Sequence, residues 1–424
     1  MTENEKAYNV VGVVAEYNPF HNGHEYHLQQ AKKLTGADAC IVVMSGDFVQ
    51  RGAPAIFDKY TRTAMALQGG ADLVLEIPSL FATGSAEDFA SASVSLLEQA
   101  GVVSHLCFGS ECGSAEKLSA AASILAEEPE EYVDILRGRL RCGATYPQAR
   151  AEALAACGVE DEELLSSPNN ILGLEYIKAL MKIGSAIEPV TIRREGAGYH
   201  DTEISPAAGT GSLSAFSSAS AIRNVIHTSL ENKENWRTKA VQDQLPQSSW
   251  DMLGQSCPVF PNDLSLLLNA AILTLSAGFE EYLDVSEELA ARIRNMRLDF
   301  SSFEDRISGL KTRQYTYTRI SRALIHILLD MKKEDAIQGR LAGYAPYARV
   351  LGFRRQSAWL LSDIKKRGRI PLITKTADAG RILEGTAWNM FQKDLCCSHL
   401  YQAVVQNKYH VLPKNEYTRS VVIL

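Results

Sequence analysis

Alternation of apolar runs with helical patterns constrains the fold of this 424-residue chain more than any other feature. Residues 9–15 (NVVGVVA) form a continuous apolar run, which is typical of a strand buried on both faces of a parallel sheet. A turn at Asn18-Pro19 and a helical pattern over residues 23–33 follow. Further strands are predicted at 39–44, 72–77, 102–108 and 186–193, and helices at 59–68, 85–98 and 114–126. This order predicts a right-handed, parallel βαβ sheet with helices on both faces.

The later segments predict a second, mainly helical unit. Residues 127–183 have a helical pattern and form an insertion before the last strand. A loop rich in Gly, Ser and Ala over residues 195–214 is long enough to be a lid over a substrate. Within it, Tyr199 and His200 either close over substrate or belong to a plain surface loop. We predict an α/β domain over residues 1–230 and a mainly helical domain over residues 231–424.

The distribution of charge separates the two parts. The whole chain has 43 basic and 50 acidic residues, but residues 291–424 hold 24 basic and only 11 acidic ones. Aromatic residues lie among these cations, a mixture that suits phosphate contacts and base stacking on RNA. The alternative is a basic domain that docks on an acidic one. The candidate RNA contacts are Arg354, Arg355, Lys365, Lys366 and Arg367.

Composition and the amino terminus exclude several classes of protein. With 46% hydrophobic and 22% charged residues, the chain has the composition of a globular protein rather than a disordered one. No signal-peptide pattern and no apolar run of about 18 residues occur, so we expect a cytoplasmic protein without a membrane partner. The eight cysteines form no CxxC pair, so reduced thiols and no metal site are expected. The sequence does not specify an oligomeric state.

The segment after the first strand contains the motif HxGH, His21 to His24. Ligands of open parallel sheets bind at the carboxyl ends of the strands, which is where this loop lies. A spacing of three places both imidazoles on one face of the first helical turn, where the helix amino end favours anions. There they can hydrogen-bond the charge that develops on a transferring phosphoryl group. By itself the four-residue pattern also arises by chance.

A second candidate phosphate site is the serine-rich helix start Ser218 to Arg223. Its hydroxyls and free amides can hold phosphates, and Arg223 adds a bidentate cation. The alternative is an ordinary helix cap.

Taken with longer motifs, these two segments resemble a known family. The motifs are AEYNPFHNGHEYHL, VMSGDFVQRGAPAIFDKYTRTAMALQGGADLVLEIP, FGSE, SPNNILGLEY and SASAIR. They are similar to those of the bacterial tRNA(Met) cytidine acetate ligases, which are HxGH nucleotidyltransferases. The resemblance implies a Rossmann-like catalytic domain and a helical tRNA-binding domain, in which the stretch YAPYARVLGF (residues 344–353) is included. It also implies that acetate and ATP, expected with Mg²⁺, give an acetyl-adenylate whose acetyl group passes to the wobble cytidine of elongator tRNA(Met).

The resemblance also implies roles for residues of this chain. His21, His24 and Arg223 would be catalytic. The ATP contacts would be Val14, Ala15, Glu16, Tyr17, Asn18, Pro19, Phe20, His21, Asn22, Gly23, His24, His27, Gly109, Asn169, Asn170, Arg193, Arg194, Ser218 and Ser220. Of the two arginines, either Arg193 or Arg194 would contact nucleotide. Asp47, Gln50 and Arg51 either meet the acyl or phosphate end or form a solvated loop.

Two rival functions remain open from the sequence. One is an adenylyltransferase that joins AMP to a small phosphorylated substrate; the basic second domain weighs against it. The other is a non-catalytic RNA-binding protein, against which the intact His21, His24 and Arg223 argue.

Overall fold

A computed structural model describes residues 8–159, 161–194, 218–275, 278–312 and 314–424. The predicted lid at residues 195–214, with Tyr199 and His200, lies outside the described residues. The strands are β1 (Val10–Ala15), β2 (Ala39–Ser45), β3 (Phe48–Val49), β4 (Ala53–Pro54), β5 (Leu73–Ile77), β6 (His105–Ser110), β7 (Glu188–Arg193), β8 (Ala348–Phe353), β9 (Leu372–Ile373) and β10 (Val422–Ile423).

The main sheet has eight strands, seven of them in the order β10-β8-β5-β2-β1-β6-β7, with β9 beside β8. The five strands predicted from the apolar runs, β1, β2, β5, β6 and β7, are present and mutually parallel. Residues 344–353, which the resemblance includes in a helical tRNA-binding domain, contain a strand instead of a helix, because β8 pairs antiparallel with β5. β8 is nearly as buried as its neighbour, so the last third of the chain completes the sheet. A division into two domains at residue 230 remains a prediction.

Helices of the first 231 residues follow the predicted alternation. They are α1 (Asn22–Thr35), α2 (Lys59–Gln68), α3 (Ser79–Ala82), α4 (Ala86–Ala100), α5 (Ala115–Glu127), α6 (Glu130–Arg141), α7 (Tyr146–Ala156), α8 (Glu162–Ser166), α9 (Pro168–Lys182) and α10 (Ala219–Glu231). As expected, α6 to α9 form a helical insertion between β6 and β7.

The rest of the chain is mainly helical, as predicted. Its helices are α11 (Lys239–Gln242), α12 (Gln247–Met252), α13 (Ser265–Thr274), α14 (Glu287–Asn295), α15 (Phe303–Leu310), α16 (Tyr317–Leu328), α17 (Lys333–Leu341), α18 (Trp359–Arg367), α19 (Ala379–Ile382) and α20 (Gly385–Tyr409). All eight cysteines are free thiols, which agrees with the expected absence of disulfides.

Two apolar cores lie on opposite faces of the sheet. Along β2, Ile41 and Val43 pack into one core, and Val42 and Met44 into the other, because successive side chains of a strand point to opposite faces. Full burial of each such side chain contributes about 1.5–3 kcal/mol. This explains why the strands are continuous apolar runs.

The parallel strands bring their carboxyl ends to one edge of the sheet, where the HxGH segment follows β1. The antiparallel β8 ends at the opposite edge, where the Arg354 N–H donates to the Asp72 carbonyl at 2.9 Å. Arg354 Nε also donates to the Leu67 carbonyl at 2.7 Å. The end of α18, with Lys365, Lys366 and Arg367 exposed, lies at that same edge, since the Arg369 N–H that follows donates to the Gln99 carbonyl before β6. The predicted RNA contacts therefore lie across the sheet from His21 and His24.

Candidate active site

A cavity of roughly 500 Å³ opens at the carboxyl edge of the sheet. That volume is in the usual range for small-molecule sites. The ends of β1, β6 and β7, the starts of α1 and α10, and the β3–β4 hairpin surround it. Sixteen of the predicted site residues line it: Val14, Ala15, Glu16, Tyr17, Asn18, His21, Gly23, His24, His27, Gly109, Asn169, Arg193, Arg194, Ser218, Ser220 and Arg223.

The two histidines of the motif fix each other at the start of α1. His21 is the helix N-cap, and its Nδ1 accepts a hydrogen bond from the Gly23 N–H at 3.1 Å. The His21 N–H donates to His24 Nδ1 at 3.3 Å. The two rings stack with centroids 3.7 Å apart. Because both Nδ1 atoms accept, each neutral ring carries its proton on Nε2 and can donate it to a ligand oxygen.

Both imidazoles are neutral in the unliganded protein. Burial, followed by the charges of Arg194 and Arg223, lowers the pKa of His21 to about 3. Burial and the neighbouring His21, Arg194 and His27 hold the pKa of His24 well below its usual value. The positive charge of the site therefore comes from arginines, while the histidines act as hydrogen-bond donors.

Arg223 is held across the cavity by two contacts. Its Nη1 donates to the Asn18 carbonyl at 2.6 Å, and its Nη2 donates to Ser220 Oγ at 2.9 Å. Ser220 therefore orients the arginine. Ser218 is the N-cap of α10 and accepts from the Ala221 N–H at 3.1 Å, so the helix-cap interpretation of this serine is correct. Ser218 also lies on the cavity wall.

The predicted asparagine pair has two different environments. Asn169 lines the cavity, and its Nδ2 donates to Glu111 Oε1 at 2.6 Å. Asn170 is fully buried; its Oδ1 accepts from the N–H groups of Glu111 and Cys112, and its Nδ2 donates to the Glu163 carbonyl. Its amide is thus occupied in shaping the turn after β6, and it does not line the cavity. Asn169 is therefore the member of the pair that lines the cavity.

Three further residues of the predicted stretch also lie off the cavity wall, namely Pro19, Phe20 and Asn22. Phe20 is a fully buried core residue. Asn22 ties the start of α1 to the second half of the chain, because its N–H and Nδ2 donate to the carbonyls of Gln244 and Asp243 at 3.0 Å. Of the weaker candidates, Gln50 and Arg51 line the cavity, whereas Asp47 is buried and accepts from the Lys59 N–H at 2.8 Å.

The two arginines at the end of β7, Arg193 and Arg194, have different neighbours. Both side chains line the cavity. Arg193 packs against Gly113, where an added Cβ would lie 2.7 Å from it, and Arg194 packs against Gly109, where an added Cβ would lie 3.3 Å from it. Arg194 Nη1 also lies 3.5 Å from Asn169 Oδ1. Arg194 thus lies beside Gly109 and Asn169, two of the other predicted nucleotide contacts.

Sequence reasoning missed two groups of lining residues. One is an apolar wall of Phe89, Phe108, Leu172 and Tyr176. The other comes from the second half of the chain and includes Val259, Phe260, Pro261, Glu304, Tyr317, Thr318 and Ser321. In the first group, Phe108 lies in the motif FGSE, and Leu172 and Tyr176 lie in SPNNILGLEY, but these apolar residues were not predicted as site residues. No family motif contains the second group, whose contact with the cavity is tertiary.

Comparisons with known proteins find relatives over nearly the whole chain. The model of the HIGH Nucleotidyl Transferase family matches residues 8–416. A tRNA(Met) cytidine acetate ligase of Acetivibrio thermocellus is 38% identical, over 98% of this chain and 100% of that protein. The ligase of a Thermoanaerobacter species is 40% identical, over 94% and 96% of the two chains. The chain belongs to this ligase family.

Solved structures of the family share the whole fold. Thermotoga maritima TmcAL bound with alpha-thio ATP has a TM-score of 0.87 and is 33% identical, over 98% of this chain and 99% of that one. The apo form of the same protein has a TM-score of 0.88. In this chain the HxGH motif starts α1, the helix after β1. Among the described residues, no helix is long and apolar enough to cross a membrane.

Proposed function

We propose that this chain is an ATP-dependent ligase that forms N4-acetylcytidine at the wobble position of elongator tRNA(Met), from acetate and through an acetyl-adenylate. The observation that carries the proposal is one cavity in which two neutral histidines, Arg194 and Arg223 converge. The chain is also 38% identical, over 98% of its length, to a tRNA(Met) cytidine acetate ligase. We place the reaction in the cytoplasm, where its tRNA substrate is found.

In the first step, an acetate oxygen attacks the α-phosphorus of ATP. The new P–O bond replaces the one to the β-phosphate, and pyrophosphate leaves with the electron pair. Nε2–H groups of His21 and His24 donate to phosphate oxygens, and Arg223 and Arg194 neutralise charge that builds up as the bond breaks. Burial strengthens these contacts because water does not screen them.

In the second step, the exocyclic N4 of cytidine attacks the carbonyl carbon of the acetyl-adenylate. The C–N bond forms, the C–O bond to AMP breaks, and the electron pair leaves with AMP. The amine loses one proton to solvent. Activation has to precede transfer because AMP is a far better leaving group than the oxide of free acetate. Positioning of the two reactants supplies much of the rate enhancement.

Mg²⁺ would enter with ATP and stabilise negative charge on the triphosphate. Magnesium in such sites is bound mainly by substrate phosphates and one or two carboxylates, so a protein cage is not required. The described residues contain no cluster of three or more potential metal ligands. Glu16 is the carboxylate at the nucleotide end of the cavity; its Oε1 accepts from the Gln50 N–H at 2.8 Å. The residues of the cavity therefore fit a metal ion that enters bound to its substrate, ATP.

The test is an assay with labelled acetate, ATP and elongator tRNA(Met), in which pyrophosphate release and label in RNA are followed together. We expect label in the RNA only when ATP is present, with stoichiometric pyrophosphate. Pyrophosphate release without label in RNA would mean that the site forms an adenylate but that the acceptor is a molecule other than this tRNA. That result would contradict the proposal. Absence of both would leave a non-catalytic RNA-binding protein.

A further inference from the structure

The cavity extends beyond the nucleotide contacts to a second end formed by the other half of the chain. There its walls include Val259 and Phe260, Glu304 at the start of α15, and Tyr317 at the start of α16. The β3–β4 hairpin lines the same cavity through Gln50 and Arg51.

The hairpin is fixed to α16 by a close backbone contact. Gly52 has φ +74, and a Cβ there would lie 2.3 Å from the Arg322 nitrogen. Ser321 Oγ donates to the Gly52 carbonyl at 2.7 Å. The position of Tyr317, one turn before Ser321, is therefore set relative to Gln50 and Arg51 on the hairpin.

Glu304 presents one free carboxylate oxygen at this end. Asn262 Nδ2 donates to Glu304 Oε2 at 2.7 Å, and the Glu304 N–H donates to Asn262 Oδ1 at 3.1 Å. This reciprocal pair orients the carboxylate. Within the described ranges, Oε1 has no hydrogen-bond partner. An oriented, unsatisfied acceptor on a cavity wall selects for a ligand that donates a hydrogen bond.

Tyr317 supplies a flat aromatic face beside that acceptor. Its side chain is 44% exposed, which leaves area for a stacking partner. Burial of the hydroxyl and the charge of Glu304 raise the pKa of Tyr317 to about 12, so the ring stays neutral at physiological pH. Single-stranded bases stack on such rings.

We propose that Glu304 and Tyr317 form the acceptor-base subsite, in which Tyr317 stacks on an amine-bearing pyrimidine and Glu304 Oε1 accepts from its exocyclic N4–H. A carboxylate accepts a hydrogen bond from the cytosine amine. Uracil has a carbonyl at that position, so two acceptors would oppose each other without a proton between them. The subsite rests on the proposed function and gives its specificity for cytidine. Glu304 thus determines which base is accepted and orients N4 towards the activated acetyl group.

The experiment compares two anticodon stem-loop RNAs of elongator tRNA(Met), one with cytidine and one with uridine at the wobble position. Binding is measured by fluorescence anisotropy for the wild type, Glu304→Gln, Tyr317→Ala and Tyr317→Phe. Asp305→Asn is the matched control, since it removes a charge from the same helix start but its carboxylate accepts from Ser302 outside the cavity. ATP binding is measured for every variant as a check on folding.

The wild type is expected to prefer the cytidine RNA by about 10-fold or more. Glu304→Gln brings that ratio close to one, because an amide can face either base, and Asp305→Asn keeps the wild-type ratio. Tyr317→Ala weakens binding of both RNAs by about 10-fold, and Tyr317→Phe retains it. All variants bind ATP within about twofold of the wild type.

A cytidine-to-uridine ratio that Glu304→Gln leaves unchanged overturns the subsite, as does wild-type RNA affinity in Tyr317→Ala. These outcomes are distinct from failure of the proposed function. A wild-type protein that transfers no acetyl group to the cytidine RNA refutes the ligase itself, and with it the subsite. Transfer by the wild type together with an unchanged ratio in Glu304→Gln refutes the subsite alone.

Discussion

The His21 N–H donates to Nδ1 of His24 at 3.3 Å, and the two rings stack 3.7 Å apart at the start of α1. The same contact caps the helix and fixes the tautomer of His24, because an Nδ1 that accepts leaves the proton on Nε2. His21 is fixed in the same way by the Gly23 N–H. The four residues of the HxGH motif thus both cap α1 and present two Nε2–H donors to the cavity.

Replacement of one histidine tests this arrangement. His24→Ala removes a donor to the phosphates and is expected to lower the rate of acetate-dependent pyrophosphate release about 10²- to 10³-fold. Binding of tRNA should stay within about twofold of the wild type. The matched control is His105→Ala, at the opposite edge of the sheet, which should keep full activity. An equal loss of tRNA binding in His24→Ala would indicate misfolding instead.

The protonation state of the pair can be observed directly. Since burial and nearby arginines lower the pKa of His21 to about 3 and hold that of His24 well below normal, neither ring should titrate between about pH 5 and pH 8. NMR of labelled histidines in the free protein measures this. The unfolded chain binds these protons at higher pH, so the two rings contribute stability that is lost as pH falls from about 6.5 towards 3. Midpoints near 6.5 for both rings would contradict the neutral-donor role.

Arg223 is expected to depend on its fork of two hydrogen bonds. Arg223→Lys keeps the charge but replaces the two fixed donors, Nη1 and Nη2, by one ammonium nitrogen, so we expect kcat to fall about 10- to 100-fold. Ser220→Ala, which removes only the orienting contact, should lower kcat a few-fold with little change in KM for ATP. A larger loss in Ser220→Ala than in Arg223→Lys would give the serine a direct role.

The basic residues at the end of α18 lie at the opposite edge of the sheet from the cavity, so their contribution to RNA binding should be separable from catalysis. Charge reversal at Lys365, Lys366 and Arg367 is expected to weaken tRNA binding and reduce its salt dependence. Acetate-dependent pyrophosphate release without tRNA should be unchanged. Titrations at several salt concentrations measure both quantities. Unchanged tRNA affinity would remove this surface from the RNA interface.

A buried charge cluster joins the last residues to the sheet and makes stability sensitive to acid. Burial opposes ionisation of Glu416, but Lys59 and Arg349 outweigh it and lower its pKa to about 2. Lys59 Nζ is 3.3 Å from Glu416 and 2.8 Å from Glu76. Glu416→Gln should lower the free energy of unfolding at pH 7 by about 3 kcal/mol, because two cations remain with too little compensation.

Ionised Glu416 stabilises the fold above about pH 4.3, the pKa of a glutamate in the unfolded chain. This stabilisation is lost as the pH falls towards 2. Urea unfolding of the wild type and Glu416→Gln over this pH window should therefore converge in acid. Exposed Glu384→Gln serves as the control and should match the wild type. A constant difference between wild type and Glu416→Gln at all pH values would show that lost packing, not charge, causes the effect.

The sequence predicts those parts of the molecule that have a local physical signature. The five parallel strands are buried on both faces and therefore form continuous apolar runs, and the start of α1 carries its own capping residues. β8 was missed because its pairing partner, β5, lies more than 270 residues earlier in the chain. No local pattern records such a contact.

The same limit applies to the site. HxGH and the α10 start were predictable from their spacing, but the choice of Asn169 over Asn170 depends on side-chain direction alone. Glu304 and Tyr317 reach the cavity only through the fold, since neither lies in a motif. Burial of Asp47 likewise follows from its contact with α2 and has no signature in the loop sequence.

The most direct test of the ligase function is nucleoside mass spectrometry of elongator tRNA(Met) after incubation with ATP, acetate and the protein. Wild-type protein should convert the wobble cytidine to its N4-acetyl form, whereas His24→Ala protein, or a tRNA with uridine at that position, should give none. An unmodified wobble cytidine with the wild type, under conditions in which it binds both ATP and tRNA, would contradict the function proposed for this cavity.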